Sequence, residues 1–402
     1  ILAAQCAGGA DVRRPLLSGD TRSTLAVLAK LGASWRMVDD ADVRFEQAEL
    51  RACDDVLPCG NSGTTLRLAS GLCATLDGDS VLDGDDSLRK RPNGPLLDGL
   101  RSLGAGVSSA AGRAPLHVSG RITAAAVAMP PAISSQYLSS LALAAARTDG
   151  ETIIHGAAPV SSRPYLDITA RTAAAFGVQI SLQDSADGVR ITVVGPQRPI
   201  CANGFEVPAD WSSAAFPLVA GAVMSVGVAM PGLDPRSAQG DAAVVGVMQR
   251  FGLPVRWLAG GPHVLSQGVG RPVSPGLIDV AQTPDMFPAL CALAACSEGT
   301  TTLDGAPGLR DKECDRIAAM VAGLKTLGVR CEELRGGAVI TGGPLGGGAV
   351  QTFEDHRVYM AFAILAAVAN ERVDVDHPDC VAISYPSFHA DLQRIQARSQ
   401  RK

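Results

Sequence analysis

Lysine, arginine and carboxylate side chains occur together where they can bind an anion and move a proton. In the segment LRDKECDRI, Lys312 and Arg316 stand four residues apart, a spacing that predicts both cations on one face of a helix. Two such cations can clamp a phosphate or a carboxylate, and the neighbouring Glu313 can exchange a proton with the bound group. The same pattern also fits a solvent-exposed helix start whose charges pair with one another. A second basic segment, RKRPNG, occupies residues 89–94.

Polar residues also open several helices that are otherwise apolar. The loop at residues 60–64 has the composition of a sharp turn that caps a helix and leaves N–H groups free to attract anions. Taken singly, these residues are better explained as helix caps, and His356 as a residue at the edge of a core. Their recurrence favours a site for a ligand with several negative charges. The residues concerned are Asn61, Gly63, Thr64, Ser134, Ser135, Gln136, Asp285, His356 and Arg357.

The elements that carry these residues recur along the chain. Five glycines follow an amphipathic segment and precede an alternating apolar one, at spacings of 72, 73, 75 and 76 residues. This is typical of a helix that ends at a C′ glycine and is followed by a strand. The glycines are Gly32, Gly104, Gly177, Gly252 and Gly328. The polar helix starts recur in step, with spacings of 73, 77, 73 and 70 residues between Ser62, Ser135, Ser212, Asp285 and Asp355.

Repetition at this period predicts an α/β (α+β) fold built from six βαβαββ units, three in each half of the chain. We therefore expect two similar domains, residues 1–208 and 209–402, with the change-over near Val207 to Asp210. Extrapolating one period backwards predicts a further polar helix start about ten residues before residue 1. On this interpretation, the opening segment ILAAQCAGG is the end of a buried helix.

Composition excludes several classes of protein. The chain has 402 residues and a net charge of −5, so nucleic acid is not expected as a partner. The ten cysteines form no C-x-x-C and no paired Cys/His spacing, which argues against zinc and favours reduced thiols in a cytoplasmic protein. The most membrane-like segment, residues 216–233, is broken by Pro217 and Ser225. It predicts a core helix and a strand, and we expect no membrane contact.

Seven segments, in the same order along the chain, resemble the 5-enolpyruvylshikimate-3-phosphate (EPSP) synthase family of enolpyruvyl transferases. They are GNSGTTLR, RKRPNGPLLDGLRSLGA, SSQYLSSL, SSRPYLDIT, TPDMFPAL, RDKECDRI and DHRVYMAF. The resemblance implies two domains, each with three βαβαββ units in an inside-out, barrel-like arrangement, that close on shikimate-3-phosphate and phosphoenolpyruvate. It further implies transfer of the enolpyruvyl group to the 5-hydroxyl with release of phosphate, without a metal or an organic cofactor. We expect a monomer.

The resemblance also implies a role for each matching residue. The proton-transfer carboxylates would be Asp285, near the attacking hydroxyl, and Glu313, near the methylene carbon, while Lys312 would contact the hydroxyl and the intermediate. Residues implied around phosphoenolpyruvate are Asn61, Gly63, Thr64, Arg91, Gln136, Arg316, His356 and Arg357. Residues implied around shikimate-3-phosphate are Ser134, Ser135, Gln136, Ser162, Tyr165, Asp285 and Lys312.

The chain departs from the family pattern in three places, and two alternatives remain open. The family's Lys-Ser…Arg motif is expected just before residue 1, Ile383 occupies a position that is Lys in many relatives, and Gly308 occupies one that is often Asn. One alternative is therefore a non-catalytic relative that binds shikimate-3-phosphate. The other is the UDP-N-acetylglucosamine enolpyruvyl transferase, which usually has a loop cysteine where this chain has Asp86.

Overall fold

The computed structural model describes residues 1–39, 41–258, 261–264 and 270–401. The chain divides into two compact units, Ile1–Val207 and Pro208–Lys402. Each unit has a hydrophobic core of its own. The two units are described separately below.

The first unit alternates short strands with helices. Its strands are β1 (Ala10–Arg13), β2 (Trp35–Met37), β3 (Val43–Phe45), β4 (Val56–Pro58), β5 (Asp79–Asp83), β6 (Gly106–Ala110), β7 (Arg113–Ser119), β8 (Ala126–Met129), β9 (Gly150–Ala157), β10 (Ser181–Ser185), β11 (Gly188–Gly195) and β12 (Phe205–Glu206). Its α-helices are α1 (Gly19–Lys30), α2 (Gly63–Cys73), α3 (Asp86–Lys90), α4 (Gly94–Ser102), α5 (Ser135–Ala145) and α6 (Pro164–Ala175). A 3-10 helix, Ala3–Gln5, precedes β1.

The second unit follows the same alternation. Its strands are β13 (Val228–Ala229), β14 (Val255–Leu258), β15 (Gly261–Val264), β16 (Leu277–Asp279), β17 (Thr300–Asp304), β18 (Arg330–Leu334), β19 (Gly337–Thr341), β20 (Gly348–Val350) and β21 (Val373–Val375). Its α-helices are α7 (Trp211–Val223), α8 (Val244–Arg250), α9 (Phe287–Ala295), α10 (Arg316–Thr326), α11 (His356–Ala366) and α12 (Phe388–Ser399). Its 3-10 helices are Gly240–Ala243, Pro284–Met286, Pro307–Asp311 and Pro378–Ile383.

The predicted βαβαββ pattern is present in full in residues 56–119, 126–195 and 277–341. In the first of these segments β4 pairs in parallel with β5, β5 pairs antiparallel with β7, and β7 pairs antiparallel with β6. The orders β10-β11-β9-β8 and β16-β17-β19-β18 repeat this arrangement. The mixed sheets and helices confirm the predicted α/β fold.

The repeated glycines end helices, as the sequence predicted. All five have a positive φ, between 73° and 100°, a conformation that glycine adopts at little cost. The segment at residues 216–233 forms the end of α7 and the short strand β13, which confirms the predicted core helix and strand. No helix in the described part of the chain is long and apolar enough to cross a membrane.

The helices with polar starts are the most buried in each unit. In the first unit α2 packs against α5, and the contact depends on Gly71, whose added Cβ would lie 2.7 Å from the Ser140 carbonyl oxygen. In the second unit α7, α9 and α11 pack against one another, with Phe216, Phe287 and Phe362 fully buried. Apolar packing along these helices therefore holds their polar first turns in place.

Candidate functional site

Arg316 organises the polar residues of the second unit. The Asp315 carboxylate accepts a hydrogen bond from Ala318 N at 3.0 Å and caps α10, so that Arg316 becomes the first helical residue. Its side chain is only 2% exposed and donates to three carboxylates. Nε donates to Asp355 at 2.7 Å, Nη1 to Asp285 at 2.9 Å and Nη2 to Glu313 at 2.6 Å. One guanidinium thus links the two predicted proton-transfer carboxylates.

Asp285 lies among three cations. Besides Arg316, its carboxylate is 3.3 Å from Lys312 Nζ and 3.6 Å from Arg357 Nη2. Arg357 Nη1 also donates to the Asp285 carbonyl oxygen at 3.2 Å. Burial opposes ionisation, but the positive charges of Arg357, Lys312 and Arg316 hold the pKa of the Asp285 carboxyl well below its usual range. Asp285 is therefore ionised at neutral pH.

Asp285 and Asp355 occupy different positions at the starts of their helices. As an N-cap Asp285 would accept a backbone hydrogen bond at the start of α9, but it lies in a 3-10 turn and α9 has no side-chain cap. Asp355, which marks the equivalent repeat position, is an N-cap and accepts from Arg357 N at 2.9 Å and Val358 N at 3.2 Å. Asp285 is thus bound to cationic side chains.

The expectation that Lys312 and Arg316 share a helix face is wrong. Lys312 ends a 3-10 helix with an extended backbone, and α10 begins only at Arg316, because Asp315 takes the capping position. The two cations nevertheless meet, since both contact Asp285. The predicted grouping is therefore present, although its cause is tertiary and not helical.

His356, the first residue of α11, is 4% exposed. Burial lowers its pKa to about 4, so the imidazole is neutral at physiological pH. Its Nδ1 is buried and, within the described part of the chain, has no hydrogen-bond partner. His356 therefore adds no positive charge to the cations around Asp285.

In the first unit, the start of α2 is both capped and surrounded by cations. Ser62 accepts from Thr65 N at 3.2 Å and caps the helix, while Asn61 accepts from Arg91 Nη2 at 2.5 Å. A Cβ added at Gly63 would lie 3.3 Å from Arg91 Nη1 and 3.2 Å from Arg67 Nη1. The capping and anion-site interpretations of this loop are thus compatible, because two guanidiniums approach the helix N-terminus.

Gln136 connects the first turns of α5 and α2. Its Oε1 accepts from Arg67 Nη1 at 2.6 Å, and its Nε2 donates to Thr64 Oγ1 at 2.9 Å. Arg67 Nε also donates to Asn93 Oδ1 at 3.1 Å. The sequence analysis missed Arg67, although it stands four residues after Gly63 and so lies on the same helix face.

The first-unit residues expected around shikimate-3-phosphate lie at the starts of α5 and α6. Ser134 caps α5 by accepting from Gln136 N at 3.4 Å, and a parallel bridge joins Ser134 to Ser161. Ser162 follows with a positive φ of 54°, and its carbonyl oxygen accepts from Tyr165 N at 3.1 Å. The start of α6 therefore lies beside the start of α5, where Ser135 is also buried.

Asp241, a second residue that the sequence analysis missed, lies in the 3-10 helix Gly240–Ala243 and contacts the start of α7. Its side chain accepts a short hydrogen bond from Ser212 Oγ, and the residue is 2% exposed. Its other carboxylate oxygen, Oδ1, is buried and has no hydrogen-bond partner among the residues that the structure describes. Burial and the nearby Asp285 charge raise the pKa of Asp241 to about 7.

Comparisons with known proteins agree on one family. Residues 1–392 match the family described as EPSP synthase (3-phosphoshikimate 1-carboxyvinyltransferase). The chain is 38% identical to the 3-phosphoshikimate 1-carboxyvinyltransferase of Natronomonas pharaonis, covering 98% of this chain and 92% of that protein. It is 36% identical to the Methanocorpusculum labreanum protein of the same name, with 99% and 92% covered. A solved EPSP synthase from Acinetobacter baumannii matches with a TM-score of 0.76 and 29% identity, covering 98% of this chain and 91% of that one.

Proposed function

This chain belongs to the EPSP synthase family, and we propose that it transfers the enolpyruvyl group of phosphoenolpyruvate to the 5-hydroxyl of shikimate-3-phosphate, releasing phosphate. Its relatives in the family carry the name of this activity over nearly the whole length of the chain. We further propose that it acts as a monomer in the cytoplasm, without a metal or an organic cofactor. Among the residues that the structure describes, no three His, Cys, Asp or Glu side chains cluster as metal ligands would.

The observation that carries the proposal is the placement of Asp285 and Glu313 on the same Arg316 guanidinium. The addition step needs one group to accept a proton and another to donate one. Asp285, ionised among its three cations, is the acceptor for the proton of the attacking hydroxyl. Glu313 is the donor to the methylene carbon, since a carboxyl group among the negative charges of bound ligands holds a proton more readily.

In the addition step, the O–H bond of the 5-hydroxyl breaks and its proton passes to Asp285. The oxygen forms a bond to the central carbon of phosphoenolpyruvate, while the methylene carbon takes a proton from Glu313 and becomes a methyl group. Lys312, which contacts Asp285 at 3.3 Å, would contact the hydroxyl and the resulting tetrahedral intermediate. In the elimination step the carbon–oxygen bond to phosphate breaks, the methyl group returns a proton to Glu313, and Asp285 passes its proton to the departing phosphate.

Binding of the two anions is assigned to the helix starts. Arg316, Arg357 and His356 would hold phosphoenolpyruvate from the second unit. In the first unit its contacts would come from the α2 start and the neighbouring polar side chains, namely Asn61, Gly63, Thr64, Arg91 and Gln136. Shikimate-3-phosphate would bind at the adjoining starts of α5 and α6, through Ser134, Ser135, Gln136, Ser162 and Tyr165. Guanidiniums suit this task because they grip carboxylate and phosphate oxygens in pairs.

A phosphate-release assay tests the proposal. The purified chain receives phosphoenolpyruvate with either shikimate-3-phosphate or UDP-N-acetylglucosamine, and we expect phosphate only with the former. Glu313→Gln should lower kcat about 10²- to 10⁴-fold, the usual contribution of a general acid. Glu332→Gln, which changes an exposed glutamate of β18, should leave the rate unchanged.

Each other outcome points to one of the alternatives. Phosphate only with the nucleotide sugar would replace the substrate assignment. Silence with both, in a chain whose circular dichroism shows a folded protein, would favour the non-catalytic relative, and calorimetric titration with shikimate-3-phosphate would then test whether binding remains. Full activity in Glu313→Gln would remove Glu313 from the proton-transfer role.

A further inference from the structure

We propose that Asp241 is a positioning residue for the proton transfer at Asp285: its ionised carboxylate counteracts the cations around Asp285 and makes Asp285 a stronger proton acceptor. This inference rests on the proposed function, in which Asp285 accepts the proton of the attacking hydroxyl. Asp241 itself would contact neither substrate. It would act only through its charge and its place behind the first turn of α7.

A short chain of hydrogen bonds fixes the Asp241 carboxylate beside the start of α7. Ser212 Oγ donates to one carboxylate oxygen, and Ser212 is itself fixed at the start of α7 by Asp210, which accepts from Ser212 N at 3.0 Å. The second oxygen, Oδ1, is buried, and none of the described residues forms a hydrogen bond with it. A buried polar atom left in this state costs free energy, so packing alone does not account for an aspartate at position 241.

The charged groups that act on Asp241 come from three elements. Asp285, in the 3-10 turn before α9, opposes ionisation of Asp241, and Arg357 of α11 favours it. Asp210, the N-cap of α7, also opposes ionisation, although it is exposed and its charge is screened by water. The 3-10 helix that carries Asp241 and the 3-10 turn that carries Asp285 both pack against α7. Two carboxylates brought together in this way oppose each other's ionisation.

Asp285 by itself is a weak proton acceptor. Lys312, Arg316 and Arg357 stabilise its ionised form and hold its pKa well below the usual range. Proton transfer from a hydroxyl to so weak a base is unfavourable. A second ionised carboxylate near Asp285 offsets the effect of the cations on its proton affinity, because two negative charges raise each other's proton affinity. Ionised Asp241 supplies that charge.

The coupling gives the reaction a pH dependence. Burial and the Asp285 charge raise the pKa of Asp241 to about 7, so Asp241 changes charge near neutrality. Below that pH Asp241 is neutral and Asp285 stays a weak base, whereas above it Asp285 becomes a stronger one. The pH profile of the wild-type kcat should therefore show a limb that rises through about pH 7, in addition to any limb due to Glu313.

The test compares kcat for phosphate release between pH 6 and pH 8.5 in wild type, Asp241→Asn and Ser212→Ala. Asp241→Asn keeps the shape and removes the charge, so the ratio of wild-type to variant kcat should rise from near one at pH 6 to about three- to tenfold at pH 8.5. Ser212→Ala removes the hydrogen bond to the ionised form and should move the limb to higher pH. Asp374→Asn, an exposed aspartate of β21, is the control and should follow wild type.

A ratio that is constant with pH would overturn the inference, because a purely structural role would change the rate equally at every pH. A limb that stays in place in Ser212→Ala would overturn it as well, and this variant supplies the test if Asp241→Asn does not fold. No phosphate from wild type at any pH would instead refute the proposed function, and this inference would fall with it.

Discussion

The charge of Asp241 can also be tested without any catalysis, through folding stability. In the unfolded chain an aspartate ionises at about 3.8, whereas burial and the Asp285 charge raise the pKa of folded Asp241 to about 7. Between these pH values the unfolded state binds fewer protons than the folded state, so the stability of wild type falls as the pH rises. A pKa raised this far corresponds to a change of about 4 kcal/mol in the free energy of unfolding. Asp241→Asn does not titrate, so its stability relative to wild type should grow by about 4 kcal/mol between pH 4 and pH 8.

Urea unfolding at a series of pH values measures this difference directly. The second unit is followed through Trp211, which is fully buried, and each variant is compared with wild type at the same pH. Asp374→Asn provides the control, because this exposed side chain pairs with Arg372 at the surface. A stability difference between Asp241→Asn and wild type that is the same at pH 4 and pH 8 would refute the reasoning, since it would show that Asp241 titrates alike in the folded and unfolded chain.

Two further predictions concern the first unit. Gly71→Val should destabilise the protein by about 1–3 kcal/mol in urea unfolding, because the new side chain would press on the Ser140 carbonyl where α2 meets α5. The control is Gly246→Ala, at an open position of α8, which should change stability by no more than about 1 kcal/mol. Equal effects of the two substitutions on stability would contradict this account. Arg67→Ala should raise the KM for phosphoenolpyruvate about tenfold, since a charged hydrogen-bonding group is lost from the α2 start. Arg101→Ala, an exposed arginine paired with Asp98, should not, and an unchanged KM in Arg67→Ala would remove it from the anion site.

Local signals account for what the sequence predicted correctly. The C′ glycines, such as Gly104 and Gly177, lie where the chain needs a positive φ, and few other residues adopt that conformation cheaply. The buried helices were predicted because their apolar residues run almost uninterrupted after a polar start, as in α9. Both signals lie within a few neighbouring residues, so they can be recognised without knowing what each segment packs against.

Tertiary contacts account for what the sequence did not reveal. Three residues of RDKECDRI are acidic, and only the fold shows that Asp315 takes the cap and leaves Lys312 outside the helix. Asp241 lies in a short 3-10 segment with no periodic pattern. Its significance depends on Ser212 and on Asp285, which are far from it along the chain.

The bonds of Arg316 connect ligand binding to proton transfer. Each of its three nitrogens already donates to a carboxylate, and two of these three carboxylates belong to Asp285 and Glu313. The side chains of Lys312 and Arg357 are more open, at 33% and 13% exposed against 2% for Arg316. An anionic ligand that binds Arg316 must therefore compete with Asp285 and Glu313 for the same guanidinium. Each carboxylate that gives up this bond holds a proton more readily, so binding of the anion would itself prepare both residues for the transfer.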